Sequence, residues 1–189
     1  MLVGICYLVI EGLLLSDKQG HVKMGKFLDD QKMHRLYEKF ILEYYRFHYP
    51  QFHARAMYID WAEESGNTDL LPMMKTDITL QHNNDTLIID AKYYTHNVQE
   101  YNNRFIVSSN NLYQMYSYVK NYVDTNKVKK ENVSGMLLYA KTEDEIQADS
   151  DYVISGNKIS VKNLDLNTDF NQIKNHLNNI AESYFNPNE

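Results

Sequence analysis

From Asp29-Asp30 onward, the apolar residues Met33, Tyr37, Phe40, Tyr44 and Phe47 recur at three- and four-residue intervals, and the run stops before Pro50. That spacing lines one face of a helix, and the paired aspartates suit its N-terminus. The segment "FLDDQKMHRLYEKFILEYYRFHY" is therefore predicted to be one long amphipathic helix. Ahead of it, "MLVGICYLVIEGLLL" is apolar but interrupted by Glu11, and it has no basic leader. It falls short of the roughly 18 residues that a membrane span needs. It reads as a core helix or helix pair, neither a signal peptide nor a membrane anchor, and "SDKQGHVKMG" as a polar connector.

After Pro50 the pattern changes. Residues 54–61, "ARAMYIDW", form a candidate strand, and "AEESGNTDLLPM" is a loop. Thr76 to Gln81 and Thr86 to Tyr93 are rich in β-branched and aromatic residues and flank Asn83-Asn84, a two-residue hairpin signal. "THNVQEYNNRFIV" is a polar connection. Ser108, Ser109 and Asn110 are N-cap candidates for "NLYQMYSYVKNYV", where Leu112, Met115, Val119 and Tyr122 share a face. "VSGMLLYA" reads as a buried strand, "DYVISGNKISVKNL" as a hairpin turning at Gly156-Asn157, and "LNTDFNQIKNHLNNIAESYF" as a closing helix. The expectation is a single α/β domain over residues 1–189, ordered helix, three strands, helix, strand, hairpin, helix.

The first hairpin carries charge in an unusual place. A turn at Asn83-Asn84 makes paired residue numbers sum to 167, which sets Asp77 opposite Asp90. Lys92 projects on the same face as Asp90 while Ala91 turns away. Like charges facing each other across an antiparallel pair destabilise it by roughly 0.2–1 kcal/mol. A third partner is expected, and a divalent cation with oxygen ligands beside the Lys92 ammonium fits.

Composition adds limits. The chain has 189 residues, 43% hydrophobic and 23% charged, which suits a soluble globular domain. A lone cysteine, Cys6, cannot form an internal disulfide and fits a reducing, cytoplasmic setting. Net charge is −6, which argues against autonomous DNA binding, and no basic stripe is visible. The excess is local, however: residues 1–140 hold 15 Lys/Arg against 16 Asp/Glu, and residues 141–189 hold 4 against 9. His34, His53, His82 and His96 show no regular ligand spacing, so zinc is not expected. The sixteen tyrosines are expected mostly in the core or at its rim.

Taken in order, "MHRLYEKFILEYYRFHYP", "MKTDITL", "LIIDAKYY" and "SSNNLYQMYSYV" resemble the McrC-type nuclease subunits of modified-cytosine (McrBC-type) restriction systems, within the PD-(D/E)XK nuclease superfamily. The phrases cover roughly residues 24 to 123, and the motif core extends to about 140. The resemblance implies a restriction-endonuclease-like α/β core of helix, three-stranded meander, helix and strand, followed by the C-terminal hairpin and helix. It implies Mg²⁺, with Mn²⁺ as a substitute, held by Asp77, Asp90 and the backbone carbonyl of Ala91, with Lys92 acting on the attacking water or the transition state. Glu38 matches an acidic residue near the metal, and Gln114 with Tyr118 resembles a Gln-x-x-x-Tyr element that orients site groups. It further implies double-stranded DNA as substrate and an AAA+ GTPase subunit of the McrB type as partner, and it admits dimerisation of nuclease domains. Thr76 stands where the motif has proline, and Asp90 where glutamate is common. The family's N-terminal, partner-engaging portion is expected to be absent from this chain.

Other readings stand beside these. The Asp77, Asp90 and Lys92 trio also fits a solvated salt-bridge cluster, and Gln114 with Tyr118 a half-buried polar pair. Glu38 also fits an ordinary i,i+4 charge, with Glu43 as its competitor. At the level of function, the alternatives are a catalytically silent assembly or DNA-docking subunit and an unrelated α/β domain.

Overall fold

The computed structural model describes residues 30–63, 65–93, 98–101, 104–141 and 149–185. The expected N-terminal core helix, with Cys6, lies outside them. Helix α1 runs Asp30–His48 and is followed by a 3₁₀ turn, Pro50–Phe52. Strands β1 (Tyr58–Ile59), β2 (Met74–Lys75), β3 (Ile78–His82) and β4 (Asp85–Lys92) come next, then β5 (Val98–Tyr101) and β6 (Arg104–Val107). Helix α2 (Ser109–Asn126) leads through a short 3₁₀ turn to β7 (Val133–Ala140). Strands β8 (Ser150–Ile154) and β9 (Asn157–Leu164) precede α3 (Phe170–Tyr184). Among the described residues, no helix is long and apolar enough to cross a membrane.

One mixed sheet, ordered β3-β4-β7-β9-β8, organises the protein. Its centre, β4-β7-β9, is parallel, and β3 and β8 pair antiparallel at the two edges. A parallel pair needs a crossover, and α2 provides it between β4 and β7. Both faces are covered. Helices α1 and α3 enclose Leu87, Ile89 and Ala91 of β4 with Met136 and Leu138 of β7. On the other face α2 lays Met115, Val119 and Tyr122 against Ile88, Leu137 and Ile159. This two-sided burial explains the nearly unbroken apolar runs of β4 and β7.

Several expectations are corrected. The buried face of α1 is formed by Tyr37, Ile41, Tyr44 and Tyr45, whereas Phe47 is 62% exposed. Ile41 and Tyr45 continue from Tyr37 at four-residue steps, which centres the buried face on the side of the helix away from Phe47. The second hairpin turns at Ser155-Gly156, both with positive φ. Asn157 is instead the first residue of β9, almost fully buried, donating to Lys130 O and Val133 O. The "polar connection" contains the β5-β6 hairpin, registered from Val98↔Val107 to Tyr101↔Arg104. Its sequence lacks the period-two alternation that betrays a half-buried strand.

The strand expected over 54–61 survives only as β1, paired to β2, and an isolated bridge between Arg55 and Thr79. The three-stranded meander is interrupted there by a change of register. Arg55 and Thr79 exchange both backbone hydrogen bonds, but Met57 then bonds Thr76 rather than Asp77. One extra residue thus sits on the 76–79 side. This bulge ejects Asp77 from the ladder and separates β2 from β3.

Helix α2 approaches β7 closely at Gly135, where an added Cβ would lie 2.6 Å from Met115 Sδ and 2.9 Å from Val119 Cγ2. Overpacking at such a contact costs about 1–3 kcal/mol. Gly135→Ala is expected to lower the urea midpoint accordingly, without changing the slope of the transition. An unchanged midpoint would show that α2 can move off β7 at no cost.

Candidate active site

Strand β4 ends in charge. Asp90 and Lys92 share the α2 face of the sheet with Ile88, Asp90 being 1% and Lys92 7% exposed. Lys92 Nζ stands 2.7 Å from Asp90 Oδ2. That contact is an ion pair without hydrogen-bond geometry, since Asp90 Oδ2 is a buried oxygen with no hydrogen-bond partner among the described residues. The ammonium donates instead to Gln114 Oε1 at 3.1 Å. Gln114 Nε2 donates to Tyr118 Oη at 2.7 Å, and Tyr118 Oη donates to the Lys75 carbonyl at 3.0 Å. The four-residue spacing of Gln114 and Tyr118 puts both on one α2 face, and the chain of bonds ties the ammonium to the strand that leads into Asp77. Burial is the main reason that the Tyr118 phenol is raised above its usual range.

Asp77 reaches the same place from the bulge. Continued by one residue, the β3-β4 register would set it opposite Asp90. Its carboxylate Oδ2 accepts the N–H of Ala91 at 2.9 Å. Burial, followed by the repulsion of Asp90 and Glu38, pushes its pKa up to about 8, against the opposing pull of the Ala91 N–H. Asp77 is thus brought near Asp90 from the bulge and not as the expected ladder pair, and the electrostatic conflict between the two carboxyls is present.

Glu38 comes near in charge but not in contact. It lies on α1 and holds His34 Nδ1 at 2.6 Å through Oε1. Among the described residues, no group of three or more Asp, Glu, His or Cys side chains is gathered closely enough to hold a metal. Asp77 and Asp90 are the pair that a cation would satisfy. Glu43, the competitor, pairs with Arg46 at 2.8 Å. The side chain of Ala91 packs into the core on the α1 and α3 face, as the alternation predicts.

The family follows from a sequence match over most of the chain. Residues 1–140 match the family described as McrBC 5-methylcytosine restriction system component. The chain belongs to the McrBC family. It is also similar to the type IV methyl-directed restriction enzyme EcoKMcrBC of Escherichia coli strain K12, with 27% identity over 186 residues. That alignment takes in 96% of this chain and 52% of the relative, so the chain spans about half the length of the curated protein it matches. Glu38, Asp77, Asp90, Lys92, Gln114 and Tyr118 all fall inside the McrBC match, whereas β8, β9 and α3 lie beyond it.

What sequence reasoning missed in this McrBC-family chain is the wall facing Asp77. A cleft of about 410 Å³ opens between α1 and the β2-β3 bend, lined by Arg35, Glu38 and Lys39 on one side and Lys75, Thr76 and Asp77 on the other. Arg35, Lys39 and Arg46 recur at intervals of four and seven, a helical spacing visible in the sequence once α1 is assigned. Thr76, at the motif's proline position, donates its N–H to Met57 O at 2.8 Å, a bond that proline lacks.

The raised Asp77 sets a pH dependence in the metal-free protein. Folded, Asp77 keeps a proton up to about pH 8 that the unfolded chain releases near pH 4. The folded state then binds more protons, so this contribution to stability is fully present below about pH 4 and is lost as pH rises to about 8. Urea titrations across that window are expected to show the decline in the parent and its absence in Asp77→Asn. Equal pH profiles for the two would show that Asp77 ionises normally.

Proposed function

We propose that this chain is the nuclease subunit of a modification-dependent restriction system, built on a PD-(D/E)XK core and hydrolysing phosphodiester bonds of double-stranded DNA with Mg²⁺. The observation that supports it most is the convergence of Asp77, Asp90 and Lys92 at the end of β4, with a buried Asp90 oxygen lacking a hydrogen-bond partner among the described residues. Two carboxylates facing each other suit a hard cation that takes oxygen ligands and keeps several waters. The Ala91 carbonyl is the third protein ligand in this reading. Bound there, Mg²⁺ or its substitute Mn²⁺ supplies Lewis acidity toward the phosphate and a more acidic bound water.

The protein's own groups do the rest. Lys92, held by Gln114 and through it by Tyr118, presents a fixed ammonium to the attacking water or to charge developing on the phosphate. Burial on the α2 face keeps that charge in a site where solvent screens it little. Glu38 acts from α1 through its charge on Asp77. Recognition of methylated cytosine belongs to another subunit in this reading. An AAA+ GTPase of the McrB type recruits the nuclease, in the cytoplasm, and dimerisation of two such domains serves cleavage of both strands.

A second reading, a catalytically silent assembly or DNA-docking subunit, has one observation in its favour: Asp77 already serves a structural purpose by accepting the Ala91 N–H. Two measurements separate the readings. Calorimetric titration of Mg²⁺ and Mn²⁺ with a short DNA duplex is expected to give binding heats that Asp90→Asn abolishes. With the partner GTPase present, folded Lys92→Ala is expected to lose about 10²–10⁴-fold in DNA cleavage, the range for a positioned proton-transfer group. Undiminished cleavage by folded Asp90→Asn and Lys92→Ala would abandon the nuclease reading.

A further inference from the structure

The cleft beside Asp77 carries more positive charge than the chain's net of −6 suggests. Of its two helix acids, Glu43 is paired with Arg46 at 2.8 Å and Glu38 contacts His34 Nδ1 at 2.6 Å. Apart from Arg46, its cations are not paired with an acid among the described residues. Arg35 and Lys39 are exposed and make no ion pair or side-chain hydrogen bond among the described residues. Lys75, on the opposite wall, is also exposed and lies 5.7 Å over the Tyr58 ring. Arg46 is fixed in place, its Nε donating to Ala54 O at 3.1 Å. From Arg35 to Arg46 the basic line extends about 16 Å along the axis of α1 at 1.5 Å per residue. That length matches the rise of four to five nucleotides in one strand of a duplex, at about 3.4 Å each.

We propose that this wall of α1 is a phosphate track, in which Arg35 and Lys39, continued by Arg46 and Lys75, grip the sugar-phosphate backbone of DNA beside the bond presented to Asp77, Asp90 and Lys92. The proposal rests on the nuclease reading for its substrate and adds the residues that position it. Roughly half to two-thirds of protein–DNA hydrogen bonds go to phosphate and sugar, and contacts of that kind fix register and orientation without reading sequence. The track runs along α1 into the cleft that Asp77 lines, which places the held backbone next to that carboxylate. Arg35 and Lys39 are positioning residues in this account and take no part in the chemistry.

The test is the salt dependence of DNA binding by the full chain in Ca²⁺ without Mg²⁺, read by anisotropy of a labelled duplex. Each phosphate contact contributes about 0.9 to the slope of log affinity against log salt, so Arg35→Gln/Lys39→Gln is expected to reduce the slope by about 2. Over a fourfold rise in salt, the parent then loses about 12-fold more affinity than the double variant. The loss is expected to be the same for unrelated duplex sequences and to be restored by Arg35→Lys/Lys39→Arg. Lys162→Gln, remote from the cleft, is expected to keep the parent slope. An unchanged slope in the double variant overturns the track, and so does the absence of salt-dependent binding in the parent. Cleavage with an unchanged slope leaves the nuclease reading standing without the track; a reduced slope in a chain that never cleaves leaves the track standing without the nuclease.

Discussion

The arrangement of the site hangs on the backbone N–H of Ala91. Strand β4 is buried along nearly its whole length and is paired on both sides, to β3 and to β7. A buried N–H without a partner costs about 1–3 kcal/mol. In an unbroken ladder Thr76 would face Ala91, but the bulge draws Thr76 away to Met57. Asp77 fills the gap with its carboxylate. The same bond that completes the sheet therefore delivers the first carboxylate to the second, and an ordinary structural need assembles the candidate site.

Delivery has an electrostatic consequence. Asp90 and Lys92 are buried beneath α2 with the half-buried Asp77 close by, and the single ammonium is shared between Asp90 and Gln114. The Asp77 proton relieves the conflict in the metal-free protein, and a bound cation would relieve it without the proton. Rigid support surrounds the cluster. Gln114 and Tyr118 project from the helix that packs without clearance on Gly135, and Tyr118 also holds the Lys75 carbonyl just ahead of the bulge. A change in α2 is thus felt at both carboxylates.

Charge is divided across the molecule. The acidic excess of the sequence lies C-terminal to residue 140, whereas the wall that faces Asp77 is lined by Arg35, Lys39, Arg46 and Lys75. A net charge describes solubility and long-range behaviour, while a binding surface depends on which charges remain unpaired at one place. In this protein Glu43 pairs with Arg46 within α1, and Arg35, Lys39 and Lys75 outnumber the acids left on that wall, Glu38 and Asp77.

Much was readable from the chain alone. Helix periodicity located α1 and α2, the eight-residue apolar run located β7 to the residue, and Asn83-Asn84 set the hairpin register that brings Asp77 toward Asp90. These are local signals, in which spacing and turn chemistry act within a few residues. Tertiary structure decided the rest, because each remaining feature depends on which distant group satisfies a buried donor or a charge. The bulge at Asp77 exists because Thr76 prefers Met57, about twenty residues earlier. Asn157 left its turn for the carbonyls of Lys130 and Val133, and Glu38 was taken by His34 rather than by the carboxylate pair. The residue types of the site were written in the sequence. Their partners were fixed only when the sheet closed and most buried polar groups found one, the Asp90 oxygen excepted.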